Sequence, residues 1–148
     1  MAGRGLVVGV DGSDGSQRAL RWALDEARLR AAPLRAVFAW SYLDQPTAGF
    51  DASYGEDAAR ARLDAALEAV AGEVGDVEIE RVVVCDLPAR AVLDHARDAD
   101  LLVVGSRGVG GFKGLLLGSV SQQVVQHARC PVVVVPGDER PAPDTSGR

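Results

Sequence analysis

Gly105-Ser106-Arg107-Gly108, followed after the nine residues Val109 to Leu117 by Gly118-Ser119, is the stretch whose surroundings decide the fold. Directly before it, Ala99-Asp100-Leu101-Leu102-Val103-Val104 carries a continuous apolar run. Continuity rather than alternation marks a strand buried on both faces of a parallel sheet. Directly after it, Val120 to Ala128 has helical character. The glycines therefore lie between the carboxyl end of a strand and the start of a helix, where an open α/β sheet places its ligands. Gly105 and Gly108 allow close backbone approach and positive φ. Gly118 and Ser119 fall where first-turn N–H groups and the helix dipole favour an anion, and Ser119 can add its hydroxyl. The stretch reads as a phosphate cradle, or as a mobile glycine-rich loop that holds nothing.

Two better-known glycine motifs do not fit. A Walker A loop needs glycine directly before its lysine, and Lys113 follows Phe112. A dinucleotide fingerprint begun at Gly108 and Gly110 meets Lys113 where its third glycine belongs.

Outward from this stretch, strands and helices alternate. Gly5 to Val10 reads as a first strand, and a helix follows from about Asp14 to Ala31, capped by Ser13 or Asp14. Its buried stripe is Ala19, Leu20, Ala23, Leu24 and Ala27, and Pro33 closes it. Leu34 to Trp40 is a second strand, and residues 41 to 54 form a loop broken by Pro46 and Gly49. A second helix covers about Glu56 to Glu73, with Ala59, Leu63, Ala66, Leu67 and Val70 inward. Val77 to Cys85 is a third strand, partly exposed at its start. Pro88 stands in the first turn of a third helix that ends near Arg97. Leu101 to Val104 and Pro131 to Val135 are the fourth and fifth strands. The pattern predicts one α/β domain over residues 1–136, with a mainly parallel sheet covered on both faces. Residues 137 to 148, rich in Pro, Asp and Gly, are expected to be a disordered tail.

The chain has 148 residues, 47% apolar and 25% charged, enough for one domain with a substantial core. A net charge of −5 speaks against a nucleic-acid partner without excluding a nucleotide. No apolar run reaches membrane-spanning length and the first residues lack a signal-peptide pattern, so a cytoplasmic protein is expected. Cys85 and Cys130 form no C-x-x-C pair and are expected to be reduced and buried.

Asp11-Gly12-Ser13 ends the first strand, at the same sheet edge as the glycine stretch. Asp11 there could accept from ribose hydroxyls, hold a divalent cation beside phosphates, or simply make an Asx turn and helix cap. Asp14 reads as a helix N-terminal charge. Arg107 and Lys113 could neutralise phosphate, or be solvated loop charges. Phe112 could pack over a ligand or under the loop. His95 and His127 read as helical surface residues with no metal-ligand spacing, and Trp22 and Trp40 as core or edge aromatics. No nucleophile–histidine–acid pattern is present in the sequence.

These residues resemble the ATP-binding branch of the universal stress protein family. The resemblance rests on Gly105-x-x-Gly108-x9-Gly118-Ser119-Val120-Ser121, on Val10-Asp11-Gly12-Ser13 with Ser16-x-x-Ala19-Leu20, on Ala99 to Gly105, and on Cys130 to Pro136. It implies a nucleotide-binding domain with sheet order 3-2-1-4-5. It also implies ATP, accompanied by magnesium or manganese, as ligand. It places Asp11, Gly12 and Ser13 by the ribose and phosphates, with Asp11 able to reach a cation through the bound ATP. It puts the backbone of Ala39 against adenine and matches Gly105, Gly108, Gly118 and Ser119 to the phosphate-binding positions, with Ser121 just beyond them; Arg107, Val120 and Ser121 complete the candidate nucleotide-binding residues. It implies a homodimer through the edge strand Val132–Val135. One departure is Asp86, where the family often has glycine near the adenine; a carboxylate there could accept from the amino group or crowd it. The function expected is a regulatory or signalling role in the stress response, without efficient catalysis. The rivals are an ATP-cleaving or adenylate-forming enzyme of similar architecture and an interaction protein that holds no nucleotide.

Overall fold

The computed structural model describes residues 4–41, 55–107 and 117–137. Five strands, β1 (Leu6–Val10), β2 (Leu34–Trp40), β3 (Ile79–Cys85), β4 (Leu101–Gly105) and β5 (Val132–Val135), form one sheet in the order β3-β2-β1-β4-β5. All four strand pairings are parallel, so the sheet expected to be mainly parallel is wholly so. Helices α1 (Asp14–Arg30), α2 (Glu56–Glu68), α3 (Pro88–His95) and α4 (Ser119–His127) connect them.

The period of two along each strand divides the core in two. Leu6, Val8 and Val10 of β1, Ala36 and Phe38 of β2, and Val103 of β4 pack with α1 and α2. Val7, Val37, Leu102 and Val104 face the other way, against Ala89, Ala91 and Val92 of α3 and Val124 of α4. Gly9 serves this second layer, since a Cβ there would stand 3.2 Å from a Val92 methyl. The predicted inward stripes of α1 and α2, Val70 included, are buried as expected.

Boundaries differ for local reasons. α2 ends at Glu68, and Val70 leads into a separate 3-10 turn, Ala71–Glu73. β3 begins at Ile79 rather than Val77, because Val77 N–H bonds back to Val74 in a turn. α3 stops at His95, two residues early, and β5 starts after Pro131, which has no N–H for the ladder. α1 ends before Pro33, because Ala31 takes a left-handed conformation (φ 51°). The N–H groups of Ala31 and Ala32 then bond the carbonyls of Arg28 and Ala27, a Schellman end made with alanine in place of glycine. The loop expected over most of residues 41–54 and the tail beyond Gly137 lie outside the described residues.

Candidate functional site

The strand order reverses direction between β1 and β4. From β1 the chain passes into α1 on one face, and from β4 it goes on to α4 on the other, so the two helices diverge from adjacent strands at the carboxyl edge. That crevice is the switch point at which open α/β sheets take ligands.

On the β1 side the backbone turns through Gly12, whose φ of 83° suits glycine. Asp11 Oδ1 accepts from Ser13 N–H at 2.9 Å and from the Ser13 hydroxyl at 2.5 Å, an Asx turn. Ser13 is the N-cap of α1, and its Oγ accepts from Ser16 N–H at 3.2 Å. Ser16 is buried; its hydroxyl donates to the Ser13 carbonyl and accepts from Asp11 N–H. The start of α1 is therefore tied off by its own side chains. The turn-and-cap arrangement considered for Asp11 is present and engages Oδ1.

On the β4 side the glycine requirement comes from contact. Gly105 is not among the residues with positive φ, contrary to expectation. A Cβ on it would lie 2.9 Å from the backbone of Gly15, and a Cβ on Gly15 would lie 2.5 Å from the Arg107 carbonyl. The first turn of α1 is thus pressed against residues 105–107, and Gly15 is a site-shaping residue that the sequence reading did not single out. Its signal was only its place beside Ser16 at the helix start. The Arg107 side chain reaches toward Gly137: a terminal nitrogen lies 3.7 Å from where a Gly137 Cβ would be.

Gly118 is the N-cap of α4, with φ −75° and ψ 176°, and among the described residues no side chain caps the helix. Its N–H donates to the Ser106 carbonyl at 2.6 Å, and its carbonyl accepts from Gln122 N–H. Ser119 is exposed and Val120 half-buried in the first turn, where N–H groups have no acceptor within the helix. Ser121 is buried, with its hydroxyl turned inward to the Ser106 carbonyl at 2.9 Å.

Ala39 lies near the end of β2, on the side of β1 away from β4. Leu34 N–H donates to the Glu78 carbonyl and the Trp40 carbonyl accepts from Asp86 N–H, so even-numbered residues of β2 direct their backbone groups to β3. Ala39, odd-numbered, directs its own toward β1, one position past the last pair, Val10 with Phe38. Asp86 is occupied in starting α3: its Oδ1 accepts from Leu87 N–H at 2.7 Å and pairs with Arg90 at 3.7 Å. Gly108, Phe112 and Lys113 lie outside the described residues.

His95 and His127 end α3 and α4, and helices in this topology end at the edge opposite the crevice. Among the described residues no three of His, Cys, Asp and Glu gather to hold a metal. Among them, too, no helix is long and apolar enough to cross a membrane. The cysteines are free, as expected, but Cys85 is exposed at the end of the edge strand β3 and Cys130 half-buried, so the expectation of burial fails for Cys85. Burial, and then the charge of Asp100, push the Cys130 thiol above its ordinary pKa.

A wholly parallel sheet with a switch point between β1 and β4 defines a doubly wound α/β domain, of the kind that takes ligands at the carboxyl ends of its strands. The family model of the universal stress proteins matches residues 4–136, and the chain belongs to the universal stress protein family. Universal stress protein Rv2005c of Mycobacterium tuberculosis is 44% identical over 130 residues, 87% of this chain and 44% of the relative. The chain thus spans less than half the length of that curated relative. A universal stress protein solved in complex with cAMP has 32% identity and a TM-score of 0.70, covering 91% of this chain and 98% of that one. The universal stress protein of Archaeoglobus fulgidus in complex with dAMP has 29% identity and a TM-score of 0.66, covering 91% and 99%. Membership of the universal stress protein family and the sheet order that the resemblance implied are both borne out.

Proposed function

We propose that this protein binds an adenine nucleotide, ATP, in the crevice between β1 and β4, and that it serves a regulatory or signalling role in the stress response. The observation that carries the reading is the start of α4. It is a helix N-terminus at the switch point that, among the described residues, has no side-chain cap, next to a glycine-lined strand end. Phosphates are the natural partners of such first-turn N–H groups. In this reading Ser119 and Val120 meet the phosphates, with Gly105, Arg107, Gly108 and Gly118 around them. Asp11, Gly12 and Ser13 border the ribose, and the Ala39 backbone meets adenine. Two related structures hold cAMP and dAMP, which supports an adenine nucleotide and makes a monophosphate the second reading.

Asp11 is the one carboxylate on the β1 turn, and its Oδ1 already holds Ser13. Magnesium or manganese would therefore rest mainly on phosphate oxygens and water, as these ions do beside nucleotides. Both histidines end at the far edge, which favours binding over acid–base catalysis.

We also propose a homodimer through β5. All four of its valines are only half-buried, and among the described residues β5 pairs with β4 alone. Two-fold pairing would satisfy the outer backbone groups of both copies. Light scattering tests this: a dimer is expected for the native chain and a monomer for Val133→Pro, and a monomeric native chain overturns it.

The nucleotide is tested by denaturing the purified protein, identifying released nucleotide by chromatography, and titrating the refilled protein by calorimetry. ATP supports the reading, and AMP or cAMP supports the second. No release together with no calorimetric binding overturns both.

A further inference from the structure

Ser121 stands just beyond the phosphate-binding positions as a candidate nucleotide-binding residue, but it is only 2% exposed. Its hydroxyl lies 2.9 Å from the Ser106 carbonyl and 3.1 Å from the Gly118 carbonyl. A hydroxyl carries one proton, and here it is directed at the backbone. The Ser106 carbonyl accepts from two donors, the Ser121 hydroxyl and Gly118 N–H at 2.6 Å. Ser106 itself is buried and tied to the sheet, since its N–H donates to the Val135 carbonyl at 2.9 Å. One residue thus joins the sheet to the first turn of α4, its carbonyl taking a backbone and a side-chain bond.

We infer that Ser121 is a positioning residue for the nucleotide. It touches no phosphate; it holds the first turn of α4 against the end of β4, so that the N–H groups of Ser119 and Val120 stand at a fixed distance from Asp11 and Ala39. The inference rests on the nucleotide reading above. Two anchors specify the tilt of a short helix where one leaves a pivot, and directed N–H donors lose strength quickly with misalignment. The effect of Ser121 must then grow with the number of phosphates and spare the nucleoside.

The test compares ATP and adenosine binding to the native chain and to Ser121→Ala by calorimetry, with amide hydrogen exchange at Gly118 in both proteins. The expected result is ATP binding weakened about tenfold, adenosine within about twofold of native, and faster Gly118 exchange in the variant. Equal losses for ATP and adenosine, as a general structural role would give, overturn the inference, and so does an unchanged ATP-to-adenosine ratio. If the native chain binds neither ligand, the nucleotide reading fails by itself. Gly118 exchange then judges the Ser121 contact alone: faster supports it, unchanged overturns it. Should Ser121→Ala not fold, Ser121→Cys, similar in size with a weak donor, answers the same questions.

Discussion

The starts of α1 and α4 stand at the same edge of the sheet, after adjacent strands, yet they are finished in opposite ways. At α1, Ser13 caps the helix and Asp11 braces Ser13, so the turn satisfies itself. At α4, glycine occupies the cap position and, among the described residues, no side chain closes the helix. Backbone N–H groups at helix starts need partners, so a start without a side-chain cap has to find them in water or a ligand. One terminus is closed by its own side chains, and the other, on the reading proposed above, is left for a ligand. Gly15 and Gly105 let the first turn of α1 sit against the strand that leads to α4.

The largest expected effect comes from giving α4 the cap it lacks. Gly118 has a φ that any residue can adopt, so Gly118→Asp can offer its carboxylate to the first-turn N–H groups. ATP binding is expected to weaken about 100-fold or more, through charge repulsion and loss of the donors, while helix stability holds or rises by a few tenths of a kcal/mol. Gly118→Asn, a neutral cap, should weaken binding less. Calorimetry and thermal melts of the two variants separate the contributions, and native-like ATP affinity in Gly118→Asp would make the two termini functionally alike.

Next in size is the contact between them. Alanine in a helix is ordinarily about 0.5–1 kcal/mol better than glycine. At Gly15 the sign should reverse, because the added methyl lies 2.5 Å from the Arg107 carbonyl and backbone must move. A net loss of about 1–2 kcal/mol in urea unfolding is expected for Gly15→Ala. A gain in stability would show that α1 does not press on the strand end.

These first two substitutions also show where sequence reading reached its limit. Continuous apolar runs at Leu101–Val104 and helical spacing at Ala19–Ala27 gave the elements, because burial leaves its period in the chain. The position of Gly105–Ser106 between strand and helix gave the edge where a site would lie. The strand order came from the family resemblance, since periodicity carries no information on which strands are neighbours. Gly15, the inward hydroxyl of Ser121 and the exposure of Cys85 depend on contacts between segments far apart in sequence. A serine three residues past Gly118 looks the same in sequence whether it faces a phosphate or a carbonyl.

Removing one hydroxyl at each helix start gives a smaller contrast. Ser13→Ala removes the α1 cap and should cost about 1 kcal/mol of stability. Ser119→Ala, at an exposed position of α4, should change stability by less than about 0.5 kcal/mol and lower ATP affinity instead. Equal stability losses would erase the distinction.

The smallest effect lies at the opposite edge, where Asp100 bonds Gly5 and where burial, and then the Asp100 charge, raise the Cys130 thiol. The folded-state pKa lies above the ordinary value of 9.0, so the contribution of Cys130 is intact below pH 9. It fades as pH rises through the folded pKa. Cys130→Ala should flatten the alkaline decline in stability without altering ATP affinity, and exposed Cys85 should react with a thiol reagent before Cys130 does. A change in ATP affinity would mean that the two edges communicate.

The most direct measurement is an ATP titration followed through backbone amide shifts. Ser119 and Val120 at the start of α4 should move most, while Ser16 N–H, held by Ser13, should move least among first-turn amides. Perturbations centred on the first turn of α1, or absent from Ser119 and Val120 at saturating ATP, would contradict the account.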